Sequence, residues 1–269
     1  MTTTQGAPVR TSSSAAGLLR GEWVKARSLR STWYVLGGSL VGMVLLGLLF
    51  TSTADTGGPS GNGGGPPGVD FAQPLTLALA GYNLAQLALG VLGVLLVTGE
   101  YASGTIRTTF AAAPRRWPVV AAKAAVLGAL VLVTATVAAL VSYAVGSAVV
   151  DGMPGLGEDG VLRVVLGTAL YLTAITLLGS ALGWLLRSTA GAVATLFGFV
   201  FLLPVLGGLL PADWGPDVVR WLPSSAGGSL LRLTTTADQF APWNGFAVLV
   251  GYVALGLAAA VWRLRTRDA

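Results

Sequence analysis

Residues 164–210 read VVLGTALYLTAITLLGSALGWLLRSTAGAVATLFGFVFLLPVLGGLL, two long apolar runs interrupted only by Arg187, Ser188, Thr189 and Ala190. Each run reaches the roughly 20 helical residues that cross a hydrocarbon core of about 30 Å. So short an interruption predicts a tight antiparallel hairpin of two membrane-spanning helices, 164–186 and 191–210. Outward from this hairpin the same criterion finds further spans at 33–53, 74–98, 119–150 and 244–262. The 119–150 run is long for one crossing, so it is expected either to tilt or to end in a short extramembrane helix.

Composition agrees with a lipid solvent. Of 269 residues 54% are hydrophobic and 10% charged, against about a quarter charged in a soluble domain. The net charge of +5 is spread in short clusters between apolar runs. It reads as a topology signal, and no nucleic-acid partner is expected. With the N-terminus in the cytoplasm, Arg10, Arg20, Lys25, Arg27, Arg30, Arg107, Arg115, Arg116, Lys123, Arg187, Arg263, Arg265 and Arg267 fall inside, and only Arg163, Arg220 and Arg232 outside. Positive residues near span ends fix orientation during insertion, so both termini are predicted to be cytoplasmic. The fold class is therefore an all-α membrane protein of six transmembrane helices. The first 32 residues contain no apolar run, which favours a retained signal anchor over a cleaved signal peptide. Residues 1–17 are expected to be a disordered cytoplasmic tail and 263–269 a second short one.

Several function classes are excluded. There is no Cys and no His, which removes thiol nucleophiles, imidazole bases and ordinary zinc sites. No metal or other cofactor is expected, and the chain does not read as an enzyme. The pattern G-x-x-x-x-G-K-[ST] is absent, so the chain has no P-loop of its own. Gly155, Gly157 and Gly160 match G-x-G-x-x-G formally, but they share an outward loop with Glu158 and Asp159, where phosphate would meet like charge; a flexible turn is expected. No acidic residue lies near the middle of a span, which argues against an ion-coupled carrier and for a permease driven from outside the membrane.

Two outward connections differ in character. Residues 54–73 are rich in Gly and Pro and predict a mobile loop, whereas 211–243 carry Trp214, Trp221 and Trp243 beside several prolines and predict a short re-entrant or surface helix at headgroup level. Inside the second span, Asn83 and Gln86 share a helix face and would either glue helices together or line a cavity. Gly38 with Gly42, and Gly179 with Gly183, are small-x-x-x-small pairs suited to close helix contact.

The segment LLRGEWVKARSLRSTW at 18–33 sets Leu19, Trp23, Ala26 and Arg30 at near-helical spacing, with Arg20, Lys25 and Arg27 elsewhere round the wheel. It predicts an amphipathic helix over 18–32 lying on the membrane surface and leading into the first span. The most informative connection is TGEYASGTIRTTFAAAPRRWPVVAAK at 98–123. Glu100 sits at the membrane edge, where desolvation disfavours an unpaired carboxylate, so a cationic partner is expected; Arg107, two helical turns on, is one candidate. Ile106, Phe110 and the alanines offer a small apolar face for a partner groove, and Pro114 and Pro118 bracket Arg115, Arg116 and Trp117 at the interface. A plain charged turn would show the same composition.

These parts resemble the membrane subunits of ATP-binding-cassette exporters of the type-2 superfamily. The resemblance covers nearly the whole chain and rests on E-W-x-K-x-R-S-x-R at 22–30, G-E-Y-x-x-G-T-I-R at 99–107, the R-R pair with Ala122 and Lys123 that follows, and the weaker L-P-S-S-A-G at 222–227. It implies six spans, with a coupling element containing Glu100, Tyr101, Gly104, Thr105 and Arg107 that receives motion from a separate cytoplasmic ATPase. It also implies a helix beside that element carrying Arg20, Glu22, Trp23, Lys25, Arg27 and Arg30. A working unit of two permeases, identical or different, with two ATPases in a bacterial cell membrane follows from the same resemblance, as does efflux. The competing reading is a membrane-embedded sensor or assembly partner that docks a cytoplasmic protein without transporting. Spans rich in Leu, Val and Ala suit an amphiphile or drug as cargo, although lipid-facing surface has the same composition.

Overall fold

The computed structural model describes residues 15–54, 73–113, 115–150, 152–211, 213–236 and 239–266. The expected tail at 1–17, apart from its last three residues, lies outside them, as do nearly all of the 54–73 connection and residues 267–269. The described residues form helices and turns without a strand, and six helical segments are long and apolar enough to cross a membrane.

The spine of the bundle is an antiparallel pair, α4 (Tyr82–Ala102) and α7 (Val161–Leu186). Their apolar windows are 61% and 67% buried, against 17% for the fifth span, so the other helices wrap around this pair. Lipid tails are as apolar as leucine, so helices in a membrane associate through close packing more than through hydrophobic transfer. The α4–α7 seam shows how. Gly93 lies against the backbone of Thr176 and Ser180, and Gly179 against the backbone of Gly90, with no room for a Cβ at either position. Gly183 packs on Val94 and Val97, whereas Gly38 faces open space, so only one of the two small-x-x-x-small pairs closes a contact fully. Around the spine, α6 (Trp117–Val149) and α12 (Pro242–Thr266) pack on α7, and α2 (Arg30–Ala54) packs on α4 and α6.

The helix bounds differ from the expected spans, and α12 runs on to Thr266, into the expected 263–269 tail. The lead-in helix α1 covers Ala15–Ser28, only Leu29 separates it from α2, and the first membrane helix therefore begins at Arg30. Its inward face is Leu18, Glu22, Lys25 and Ala26, so Ala26 parts company with Leu19 and Trp23, which stay exposed. The second span divides into α3 (Pro74–Leu79) and α4, joined at Ala80 and Gly81. There α2 crosses at backbone contact: Gly81 meets Met43, and Gly47 meets Ala78. This span also runs on to Ala102, four residues past the expected end.

The fifth span is not one regular helix. It runs as α8 (Thr189–Phe197), a π-turn at Gly198–Leu202 and α9 (Leu203–Gly207). Pro204 is the cause: it has no N–H to donate and its ring crowds the carbonyl four residues back, so the helix widens and Leu203 N–H reaches Gly198 O instead. The third span, by contrast, is a single helix of 33 residues, about 50 Å long and well beyond the hydrocarbon thickness.

After the fifth span, α10 (Gly215–Val219) packs on α9, and α11 (Pro223–Gly228) and a 3₁₀ turn at Ser229–Leu231 fold back against α7 and α12. Glycines again permit the approach, with Gly167 under Leu230 and Gly227 under the Tyr171 ring. Trp214, Trp221 and Trp243 remain half exposed.

Candidate functional site: a charge square beneath α5

Running α4 past the expected span end carries Glu100 into the packed end of the bundle, where it is 12% exposed. An unpaired carboxylate there would be strongly disfavoured. Two lysines from other helices meet it: Lys25 of α1 at 2.9 Å and Lys123 of α6 at 3.0 Å. Both lysines also bind Glu22 of α1, Lys123 at 2.5 Å and Lys25 at 2.8 Å. Two acids thus alternate with two cations in a closed square with no net charge. Glu22 and Lys123 are 6% and 7% exposed, so Lys25 at 39% is its one open corner. Within the square, Glu100 Oε2 is buried without a hydrogen bond to any described residue.

The square has electrostatic consequences. Burial pushes the Glu22 carboxyl up, but Lys123 and then Lys25 outweigh it and hold the group below the usual carboxylate range. Burial likewise pulls Lys25 down, and its bonds to Glu22 and Glu100 reverse this, leaving it above the usual lysine value. Glu22 and Lys25 are therefore both charged at neutral pH.

The helix that follows is aimed by a glycine. Gly104 has φ +72°, a left-handed turn that a side chain adopts only with strain, and it lets the chain leave α4 and start α5 (Thr105–Ala112). Thr105 begins α5, its hydroxyl 2.9 Å from that of Ser103. Thr109, one turn on, accepts a 3.3 Å bond from Lys25, which joins α5 to the square. Ile106 is buried beneath the helix. Arg107 is exposed and makes no ion pair with any described residue, which corrects it as the candidate partner of Glu100: the left-handed turn breaks the helix that would have aligned the two.

A second set of contacts closes the same end. Tyr101 packs edge-on against Trp184 with ring centroids 6.0 Å apart, and the Arg187 guanidinium lies 5.4 Å from the Tyr101 ring. Arg187 is itself left-handed at φ 53°, which is how the four-residue interruption at 187–190 closes the hairpin. Arg116 stacks over Phe110 at 5.4 Å and donates to Leu264 O at 2.5 Å, tying α5 and α6 to the end of α12.

Of the residues singled out in the sequence, the structure brings together Glu22, Lys25 and Glu100, with Gly104 and Thr105 beside them. Arg20, Trp23, Arg27 and Arg30 lie on exposed positions at this end. Asn83 and Gln86 lie at the opposite end, where Gln86 accepts a 2.5 Å bond from Tyr171 and donates a long one to Asn83; Gln86 thus joins α4 to α7, and both residues line a cleft. Gly155 N–H binds Glu158 Oε1 at 2.8 Å, so the 155–160 glycines form a turn closed by the acidic residue itself. Sequence reasoning missed Lys123, Trp184 and Arg187 as members of the site. Lys123 carried a signal, being a cation a full turn inside an apolar helix and therefore in need of an acid.

Six apolar helices, two of them forming the α4–α7 spine, define a multi-pass membrane protein. The family model described as ABC-2 family transporter protein matches residues 66–269, and the chain belongs to that family of transporter permeases. The match begins after α2, so it covers Glu100, α5 and Lys123 but not Glu22 or Lys25. No curated protein matches the chain.

Proposed function

We propose that this transport subunit is the permease of an ATP-driven bacterial exporter, with both termini and α5 in the cytoplasm. A separate ATPase docks on residues 99–118 and moves the spans through them. Two permeases and two ATPases form the working unit. The single observation that carries this reading is the charge square. Because Glu100 is bound to α1 and α6, and Lys25 to α5, a push on α5 is passed to three membrane-associated helices together. An element that can shift only as a unit is what transmits ATP binding into a change of access.

The test is co-reconstitution with the partner ATPase in proteoliposomes. Glu100→Gln is expected to insert and to bind the ATPase, while transport per ATP hydrolysed falls about tenfold. If the square is only a structural knot, the variant loses thermal stability yet transports normally per folded molecule. Normal transport and normal ATPase stimulation in Glu100→Gln with Arg107→Ala overturn the coupling assignment. Binding of the cytoplasmic protein without any movement of substrate favours the sensor reading.

A further inference from the structure

At the end of the bundle opposite the charge square, α4, α7, the π-turn of the fifth span and α10–α11 enclose a cleft of about 290 Å³. Its walls differ in chemistry. The fifth span contributes Val200, Phe201 and Pro204, while the facing side carries Asn83, Gln86, Arg220, Ser224, Arg232 and Gln239. No aspartate or glutamate lines it among the described residues.

The three basic residues at this end do different work. Arg163 donates to the backbone carbonyls of Leu230 and Arg232, at 3.1 and 3.0 Å, and so closes the 3₁₀ turn. Arg220 pairs with Asp217 at 3.2 Å and stacks over Phe240 at 5.5 Å, leaving its Nε without a partner. Arg232 is exposed, opens into the cleft and makes no ion pair or side-chain hydrogen bond with any described residue. Ser224 Oγ is buried and likewise unpartnered. Gln86 accepts from Tyr171 and gives one N–H to Asn83, which leaves its second N–H able to donate into the cleft beside one oxygen lone pair. The polar wall therefore carries hydrogen-bond donors and two arginines, of which Arg220 is paired with Asp217 and Arg232 meets no carboxylate among the described residues, opposite an apolar wall that continues onto the lipid-facing side of the fifth span.

We propose that this cleft binds the head group of an anionic amphiphile, a phosphate or sulfate monoester or a carboxylate on an apolar chain. The anion sits against Arg232, Arg220 and Ser224, and the chain leaves past Phe201 and Pro204. The volume is at the lower edge of small-molecule pockets and fits a head group with the first carbons of a chain, not a whole lipid. Opposite charge on the arginines supplies affinity through charge-assisted hydrogen bonds, while the apolar wall selects against a free ion. This inference deepens the transport reading by naming a substrate class, but the binding site stands or falls without it.

The probe is dodecyl phosphate, titrated onto the full chain in nanodiscs of neutral phosphatidylcholine and read as saturable excess over empty nanodiscs. Arg232→Gln is expected to weaken binding about tenfold, and Arg232→Lys to restore it to within about threefold. Thermal stability should not change, since the Arg232 side chain bonds to no described residue. Phosphatidylglycerol in the disc that competes with the probe supports the site with a membrane lipid as its source; no competition supports it with a non-bilayer amphiphile. Equal binding of dodecyltrimethylammonium, equally tight binding of inorganic phosphate, or unchanged affinity in Arg232→Gln overturns the proposal. Because the ATPase is absent, lost binding leaves the transport reading intact. Binding without transport in proteoliposomes removes that reading and leaves the site.

Discussion

Lys123 concentrates the energetics of the charge square in one side chain, since it touches both carboxylates and is almost fully enclosed. Removing one member of a buried ion pair strands the other charge, so Lys123→Met is expected to cost about 3–5 kcal/mol, measured by thermal unfolding in neutral detergent. The square also sets a pH window. Glu22, held below 4.5, contributes stability that is complete above that value and lost as pH falls through its lowered folded pKa. Lys25, held above 10.5, contributes stability that is complete below that value and lost as pH rises through its raised folded pKa. Stability should therefore be flat between the two. In Lys123→Met the acid limb should move to higher pH, because the strongest attraction on Glu22 is gone. That Glu100 needed a cation was legible from its place at a membrane edge. Its partners were not, because Lys123 and Lys25 stand 23 and 75 residues away and become neighbours only when α1, α4 and α6 pack.

Among the elements, the two small-x-x-x-small pairs show the same limit. Gly179 and Gly38 are equivalent in pattern, yet one meets the backbone of a neighbouring helix and the other meets nothing within 4 Å. Gly179→Ala is expected to destabilise by about 1–3 kcal/mol through overpacking, and Gly38→Ala to change stability by less than about 0.5 kcal/mol. Both are read from unfolding midpoints in the same detergent. Pro204 was visible in the sequence, and its consequence followed from the backbone: a missing donor inside an apolar helix yields either a kink or a widened turn. Here the turn widened over Gly198–Leu202, and that segment became one wall of the cleft opposite the charge square.

For the whole molecule, orientation is the property on which the proposed function depends. The chain contains no cysteine, so single cysteines introduced at exposed Ser103 and Thr235 can be labelled without background. With a membrane-impermeant maleimide, Ser103→Cys is expected to react only in inside-out vesicles and Thr235→Cys only in right-side-out cells. The opposite pattern would place α5 beyond the reach of any ATPase and refute the coupling scheme. The expected result agrees with the thirteen-to-three division of Lys and Arg between the two sides.

The sequence by itself determined the number of membrane-crossing helices, the family they belong to and the short interruption at 187–190 that closes the hairpin. Those properties are local: a run of about 20 apolar residues partitions into lipid whatever its neighbours do, and a turn or flanking charge acts within a few residues. Tertiary structure alone decided which lysines neutralise Glu22 and Glu100, which glycines close a contact, and that Arg220, Arg232 and Ser224 converge on one cleft. Those pairings depend on which helices lie side by side. In a solvent that offers no hydrogen bonds, each buried charge must find its partner across a helix interface that no local pattern specifies.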